Sequence, residues 1–176
     1  MFKALYAHHA RFADLVDRTS HDLLSFVARI AAAVPFWRSG QSKLEGSEIL
    51  GIKWNLFAVK DSKIYLFQYE FGFPEAIAPT MTHLAAIGEN LLPLALVFGL
   101  FSRLGALGLI IMTLVIQFYV FPDHLARFNG NWSLHLLWLF PLLYVLTRGP
   151  GAWSLDAIIG KRFHKGGASL GEAHTS

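Results

Sequence analysis

The feature that most constrains this chain is a series of four apolar segments. A helix that spans a bilayer needs about 17 to 25 predominantly apolar residues. Four segments meet or approach that length, and they cover residues 23–41, 77–101, 104–121 and 132–147. The sequence therefore predicts an all-α fold, an integral membrane four-helix bundle.

The composition agrees with a bilayer environment. Hydrophobic residues make up 54% of the chain and charged residues 15%, whereas an ordinary soluble domain has about 25% charged residues. The formal net charge is +3, but the cations are scattered at segment ends and form no single basic patch, so we predict no nucleic-acid partner. The chain has no cysteine, so it has no thiolate of its own for metal clusters or disulfide chemistry.

Amphipathic segments are predicted before, between and after the spans. Residues 1–22 carry apolar side chains at helical spacing, which predicts a segment on the cytoplasmic membrane surface. The loop from Lys43 to Pro74 alternates aromatic and charged residues, which is typical of the headgroup zone; a short hairpin at residues 60–63 is also compatible with it. After the fourth span, GPG stops the helix, and a short interfacial helix is predicted with Ser154 or Asp156 near its N-cap.

We predict a membrane domain over residues 23–163 and a disordered tail over residues 164–176. With four spans both termini lie on one side, and lysine and arginine favour the cytoplasmic side. The side that holds the termini carries Lys3, Arg11, Arg18, Arg103, Arg148, Lys161, Arg162 and Lys165, and the opposite side carries Lys43, Lys53, Lys60, Lys63 and Arg127. Both termini are therefore predicted to be cytoplasmic.

The first span contains cations that the bilayer should disfavour. Arg29 and Arg38 lie inside it and Lys43 lies at its end, and a charge in hydrocarbon is costly unless it is paired or hydrated. Glu89 lies deep in the second span, and a carboxylate beside a guanidinium stays ionised and binds it. We predict an intramembrane polar cluster of Arg29, Arg38, Lys43 and Glu89, in which Glu89 pairs with one or both arginines. The cluster either sets the register of the helices or forms a proton or anionic-ligand site.

Helical spacing predicts which faces of the first two spans point into the bundle. On the first span that face is small or cationic, and it consists of Arg29, Ala33, Phe36, Gly40 and Lys43. On the second span it consists of Thr82, Ala85, Ala86, Glu89 and Pro93. The direction of Arg38 stays open, because Pro35 can kink or rotate the outer half of the helix.

Three further polar residues lie at similar predicted depth in the second, third and fourth spans: His83, Gln117 and His135. Two histidines on different spans are able to ligate a haem or a metal, whereas interfacial hydrogen bonding is the simpler interpretation. We treat the three residues as candidates for ligand binding, and we assign no protein metal site and no catalytic residue.

Several short motifs in this order resemble the DoxX/DoxD-like family of four-span membrane proteins. The resemblance covers residues 25–159, and its marks are Arg29, Gly40 and Lys43; Glu89 before LVFGLFSRLGAL with Gly99, Arg103 and Ala106; and GPGAWSLD from Gly149 to Asp156. A finer likeness lies in FWRSG-x-x-K at Phe36 to Lys43, in the approach from Phe73 to Pro79, and in MTLVIQ-x-x-V-x-P at Met112 to Pro122.

The resemblance implies a bacterial inner-membrane protein. Some relatives are subunits of membrane oxidoreductases that pass electrons towards quinone. Others are partners or assembly factors, sometimes encoded with machinery for modified metal-binding peptides. No cofactor is evident in the sequence itself, and the resemblance implies a quinone as a candidate ligand. We expect a protein partner or a second copy of the chain beside the lipid bilayer.

Overall fold

The computed structural model describes residues 20–120 and 132–161, and the side chains of residues 132–136 lie outside this description. The described part is mostly helical. The predicted N-terminal surface segment, except for its last residues, and the predicted tail lie outside the described residues, as do residues 121–131 of the loop between the third and fourth spans.

Four long helices form the framework, and shorter elements connect them. In chain order the elements are α1 (His21–Lys43), β1 (Glu48–Ile49), β2 (Ile52–Lys53), α2 (Asp61–Tyr65) with a π-helical turn (Leu66–Glu70), α3 (Ala78–Phe98), α4 (Ser102–Val115) with a π-helical turn (Ile116–Val120), α5 (Trp132–Arg148) and α6 (residues 155–161). Helix α1 packs against α3 and α5, and α4 also packs against α3 and α5. The apolar core lies between these four helices.

Two of the described helices are long and apolar enough to cross a membrane. They are α3, with 21 residues, and α4 with its π-helical turn, with 19 residues over Ser102–Val120. Large apolar side chains on their outward faces are exposed, among them Leu84, Leu91, Leu104 and Ile111. Such faces suit contact with lipid, since a soluble protein rarely exposes so wide an apolar surface.

The inward faces predicted for α1 and α3 are confirmed, except that Ala85 on α3 is only half-buried. On α1 the buried residues are Ser25, Arg29, Ala32, Ala33, Phe36, Gly40 and Lys43. On α3 they are Ala78, Thr82, Ala86, Glu89, Asn90, Pro93 and Leu96. Both lists repeat every three or four residues, as expected when one face of a helix packs against its neighbours.

Local capping determines where α3 ends and α4 begins. Gly99 has a φ of 69° and a left-handed conformation, which glycine adopts at no steric cost and which commonly ends a helix. The carboxylate of Asp156 accepts hydrogen bonds from the backbone N–H groups of Phe101 at 2.8 Å and Ser102 at 2.9 Å. Helix α3 therefore ends before the predicted boundary at residue 101, and α4 begins before residue 104.

The hairpin suggested for residues 60–63 is not formed, since this segment lies at the start of α2. The hairpin instead joins β1 to β2, and Glu48 pairs with Lys53. Its turn has positive φ at Leu50, 55°, and at Gly51, 74°. Two-residue hairpin turns need such angles and favour glycine. Residues 60–63 contain no glycine, and an acidic residue such as Asp61 favours the first turn of a helix.

Candidate functional site

A pocket of about 400 Å³ lies between α3, α4 and the loop that connects α1 to α3. We call residues 44–77 the α1–α3 loop. The apolar wall of the pocket consists of Phe67, Phe71 and Phe73 from this loop, Met81, Leu84 and Ala85 from α3, and Met112, Val115, Ile116 and Val120 from α4 and its π-helical turn. The volume lies in the range of pockets that hold small organic ligands.

The polar end of the pocket consists of Ser39 and Lys43 from α1 and Glu89 from α3. Lys43 Nζ donates a hydrogen bond to Glu89 Oε2, which completes an ion pair, and a second one of 2.9 Å to Ser39 Oγ. Lys43 and Glu89 are both buried. Because an unpaired charge in apolar surroundings is costly, each of these two charges depends on the other.

Gly40 allows α1 to approach α3 closely beside this ion pair. A Cβ atom built at Gly40 would lie 2.6 Å from Asn90 Nδ2 and 2.9 Å from the backbone carbonyl of Glu89. These separations are too short for a real side chain. The absence of a side chain at residue 40 therefore brings the carboxyl end of α1, and Lys43 with it, against Glu89.

The α1–α3 loop is joined to the end of α1 by backbone hydrogen bonds. Glu45 N donates to Ala58 O at 2.7 Å, and Lys60 N donates to Lys43 O at 3.0 Å. Leu44 and Val59 pair as an isolated bridge and are both buried. The same residue, Lys43, thus provides the cation of the pocket and the backbone anchor of the loop that forms its wall.

Aromatic contacts complete the loop side of the pocket. The ring of Phe67 stacks on that of Phe73 with centroids 5.7 Å apart, and it meets the ring of Phe71 at 5.0 Å. Phe73 in turn contacts Tyr119 in the π-helical turn of α4, at 4.8 Å between centroids. The loop therefore contacts α4 through Phe73, one of the side chains that line the pocket.

A second polar group anchors the hairpin to the helices. Gln41 Nε2 donates to Asn90 Oδ1 at 2.7 Å and to Lys53 O at 3.3 Å, and Gln41 Oε1 accepts from Lys53 N at 2.8 Å. Asn90 Nδ2 donates to Ala86 O at 2.7 Å. The polar atoms of the buried Asn90 amide and the half-buried Gln41 amide are paired with each other or with backbone. This pairing explains how α3 tolerates Asn90 next to Glu89.

The predicted pairing of Glu89 with an arginine is wrong. Arg29 is fully buried, and its Nη1 atom donates to Leu96 O and Val97 O, each at 3.2 Å. Helices α1 and α3 run antiparallel, so Arg29 lies level with the end of α3 at Val97. Glu89 lies eight residues before Val97, which corresponds to about 12 Å along the axis of α3. The carbonyl oxygens at a helix end lack intrahelical donors and carry partial negative charge, so they accept from a cation without a carboxylate.

Arg38 does not join the other charged residues of the predicted cluster. Its side chain is exposed on the outward face of α1, whereas Lys43 and Glu89 lie on the inward faces of their helices. Helix α1 continues through Pro35 to Lys43. The structure therefore brings together two of the four predicted residues, Lys43 and Glu89, and places Arg29 and Arg38 elsewhere.

The three candidates for ligand binding lie in different settings. His83 is partly exposed, and its Nδ1 atom lies 2.8 Å from the Pro79 carbonyl oxygen of its own helix. Gln117 is fully buried in the π-helical turn of α4, and both ends of its amide lack a hydrogen-bond partner among the described residues. His135 lies in α5, but its side chain is outside the description. Among the residues that were described, no three His, Asp or Glu side chains form a group able to hold a metal ion.

Sequence analysis missed Ser39 and the three phenylalanines of the pocket wall. Ser39 lies four residues before Lys43, and side chains at this spacing are neighbours on a helix, so the contact had a visible signal. Phe67 lies in the five-residue π-helical turn after α2, and Phe71 and Phe73 follow it. This helical stretch is too short to give a clear periodic signal. The convergence of these phenylalanines on α3 and α4 depends on the course of the loop, which the local sequence does not determine.

Comparisons with known proteins agree with the motifs. The DoxX family model matches residues 24–122 of the chain. An uncharacterized protein of Haemophilus influenzae is 30% identical over 138 residues, which cover 77% of this chain and 82% of that protein. No solved structure matches the chain. The resemblance predicted from the motifs is confirmed, and the chain belongs to the DoxX family.

Proposed function

We propose that the chain is a multi-pass protein of a bacterial inner membrane, with α1, α3, α4 and α5 as the spans of a four-helix bundle. The length and apolar character of α3 and α4 support this proposal. Helices α1 and α5 pack against these two, and they also expose large apolar side chains, such as Val27 and Val34 in α1 and Phe140 and Leu143 in α5. These exposed faces suit lipid contact.

The proposed orientation has both termini in the cytoplasm. The start of α1 and the segment after α5 belong to one end of the molecule, because Ala152 N donates to Asp22 Oδ1 at 2.6 Å. Arg103 and Arg148 are exposed at that end, and Lys43 lies at the other. Counted over the whole sequence, more lysines and arginines are assigned to this end than to the other end. This difference supports a cytoplasmic location for the end that holds Arg103 and Arg148.

We further propose that the α1–α3 loop and α6 lie at the two membrane surfaces. The loop exposes Leu50 and Phe57, with relative exposures of 96% and 76%. Helix α6 exposes Ile158 and Ile159. Apolar side chains of this kind, interspersed with lysines, are typical of the headgroup zone. The proposed division into a surface segment over residues 1–22, a membrane domain over 23–163 and a tail over 164–176 rests on the sequence.

For its activity, we propose that the chain is an accessory subunit of a membrane oxidoreductase or another quinone-linked redox complex. The observation that carries this proposal is the pocket beside α3 and α4, which is apolar along most of its wall and polar at one end. A membrane quinone has a ring with carbonyl oxygens and a long apolar tail, so it needs a site of this kind.

The residues of the pocket fit a quinone headgroup. Lys43 Nζ and the Ser39 hydroxyl are donors for a carbonyl oxygen at the polar end. Phe67 and Phe73 provide a stacked aromatic wall for a ring. When bound, a quinone supplies the capacity to accept electrons; this chain holds the headgroup and excludes water from it, and a partner subunit supplies the electrons.

The first experiment is a mass spectrum of extracted ligands, with an absorption spectrum, for the protein purified gently in detergent. We expect quinone at a stoichiometric level in the wild type. Met81→Trp should fill the pocket from α3 and lower the quinone content at least severalfold. Leu91→Trp, on the exposed face of the same helix, is the matched control and should retain the quinone.

A wild-type protein without quinone, or equal quinone in both tryptophan variants, would contradict the quinone proposal. The alternative function is that of a membrane scaffold or assembly factor, which binds a protein partner or a second copy of the chain. Such a protein would take part in the maturation of metal-binding peptides or in metal homeostasis. The exposed ring of Tyr69, stacked on that of Tyr65 at 6.1 Å, favours it. A ligand-free protein whose defined partner is lost with Tyr69→Ala would support this second candidate.

A further inference from the structure

The polar end of the pocket contains equal and opposite charges. Among the described residues that line the pocket, Lys43 and Glu89 alone are charged, and they bind each other. The end of the pocket is therefore electrically neutral although it is strongly polar. This arrangement differs from an anion site, in which cations outnumber carboxylates and remain available to the ligand.

The polar end of the pocket keeps both hydrogen-bond donors and a hydrogen-bond acceptor for a ligand. The Lys43 ammonium has three protons, of which one is donated to Glu89 and one to Ser39, so one remains without a partner among the described residues. The Ser39 hydroxyl accepts from Lys43 and keeps its own proton to donate. Glu89 binds Lys43 through Oε2, which leaves its Oε1 atom as an acceptor that Lys43 does not use.

An ionised headgroup would fit this end poorly. A phosphate or carboxylate near Lys43 would also approach the Glu89 carboxylate, and like charges repel strongly where water is excluded. A quaternary amine would meet the same difficulty at Lys43. An uncharged headgroup with carbonyl or hydroxyl oxygens uses the free donors and the acceptor without adding a charge.

The rest of the pocket suits a ring with an apolar tail. Phe67 and Phe73 lie nearly parallel, with 23° between their ring planes. Leu84 of α3 and Val115 of α4 line the pocket and are also exposed. A tail that leaves the pocket between these two side chains enters the surroundings of the helices, which in a membrane is lipid.

We propose that the Lys43–Glu89 ion pair makes this pocket selective for uncharged, ring-containing amphiphiles and rejects anionic ones such as phosphate or carboxylate amphiphiles. The proposal rests on the function proposed above, because it concerns the same pocket. In it Lys43 donates to the headgroup oxygen, and Glu89 is a specificity-determining residue that removes the net positive charge.

The test compares two probes with the same tail, a decyl-substituted benzoquinone and decyl phosphate, by titration calorimetry on the full chain in phosphatidylcholine nanodiscs. The wild type should bind the benzoquinone at least about tenfold more tightly than the phosphate. Glu89→Gln leaves the cation uncompensated, so it should tighten decyl phosphate binding about tenfold and abolish or reverse the preference.

A second variant keeps the test valid if Glu89→Gln does not fold. Ala85→Lys adds a cation to the pocket wall and leaves the ion pair intact, so it should also shift the preference towards decyl phosphate, whereas Ala85→Gln of similar size should not. Equal wild-type affinities for the two probes, or an unchanged ratio in the charge variants, would overturn the selectivity. If neither probe binds the wild type more tightly than it binds Met81→Trp, the pocket assignment itself fails and the proposed function fails with it.

Discussion

Arg29 Nη2 donates a hydrogen bond of 2.5 Å to the carbonyl oxygen of Trp153, which lies 124 positions later in the chain. The same guanidinium donates to Leu96 O at the end of α3. One buried side chain thus joins α1, α3 and the segment that leads into α6. It also explains how a cation deep in an apolar helix is held by backbone carbonyl oxygens, without a hydrogen bond to a carboxylate.

Replacing Arg29 with methionine should destabilise the fold. The substitution removes the donors of three carbonyl oxygens, and we expect a loss of about 2–3 kcal/mol, which lowers the Tm by about 5–10 °C in a chain of this size. Arg38→Met is the matched control, since Arg38 lies on the same helix but is exposed, and it should change the Tm little. Thermal unfolding of both variants in one detergent makes the comparison. Equal Tm values for the two variants would contradict the assigned role.

Gly40→Ala should separate α1 from α3. The added Cβ would meet the backbone carbonyl of Glu89 at 2.9 Å, and since backbone cannot move aside, overpacking should cost about 1–3 kcal/mol. A Cβ built at Gly160 in α6 meets no described atom within 4 Å, so Gly160→Ala should be neutral or slightly stabilising. The Tm and the monodisperse fraction on size exclusion measure both effects. If Gly40→Ala has the same Tm and the same monodisperse fraction as Gly160→Ala, close packing at residue 40 is disproved.

The ion pair of Lys43 and Glu89 should show strong coupling. Glu89→Leu alone leaves a buried cation and Lys43→Met alone leaves a buried carboxylate, and each should cost about 3–5 kcal/mol. The double variant contains neither charge, so it should be more stable than the sum of the single effects by about 0.5–3 kcal/mol. The yield and the Tm of the wild type, the two single variants and the double variant form a double-mutant cycle that measures this coupling. Wild-type stability in the single variants would show that the two charges do not depend on each other.

Asp156→Ala should destabilise the start of α4. Its carboxylate accepts from the backbone of Phe101 and from both the backbone and the hydroxyl of Ser102, and loss of a helix cap costs about 0.5–2 kcal/mol. Asp61→Ala is the control, because Asp61 also lies in the first turn of a helix but is exposed. Hydrogen exchange of the first turn of α4 should increase in the Asp156 variant alone. Unchanged exchange there would rule out the capping role.

The inward faces of the helices were predictable because they depend on local periodicity. The spacing of Arg29, Gly40 and Lys43 on α1, and of Thr82 and Glu89 on α3, follows from 3.6 residues per turn, and the structure buries these residues. The motifs that identified the family are also local, since each is a short run of residues.

The partners of the buried charges were not predictable in the same way. Depth counted from a common membrane edge carries an error of a turn or more, and one turn is about 5.4 Å. That error is enough to exchange Lys43 for an arginine as the partner of Glu89. The hairpin was placed wrongly for a different reason. Polar residues such as Lys60 and Lys63 occur in turns and in short helices alike, whereas the hairpin turn that forms requires positive φ at Leu50 and Gly51.

Local sequence was enough to predict the helical segments, their inward faces and the resemblance to the DoxX family, because each depends on residues close together in the chain. The folded chain was needed to show that Glu89 binds Lys43, that Arg29 binds carbonyl oxygens, and that the aromatic residues Phe67 and Phe73 of the loop form a pocket wall. These contacts depend on the register between α1 and α3 and on the path of the α1–α3 loop. The register depends on close packing of Gly40 against Glu89 and Asn90. The path of the loop depends on hydrogen bonds such as that from Lys60 N to Lys43 O. Both kinds of contact join residues far apart in the chain, which no local pattern encodes.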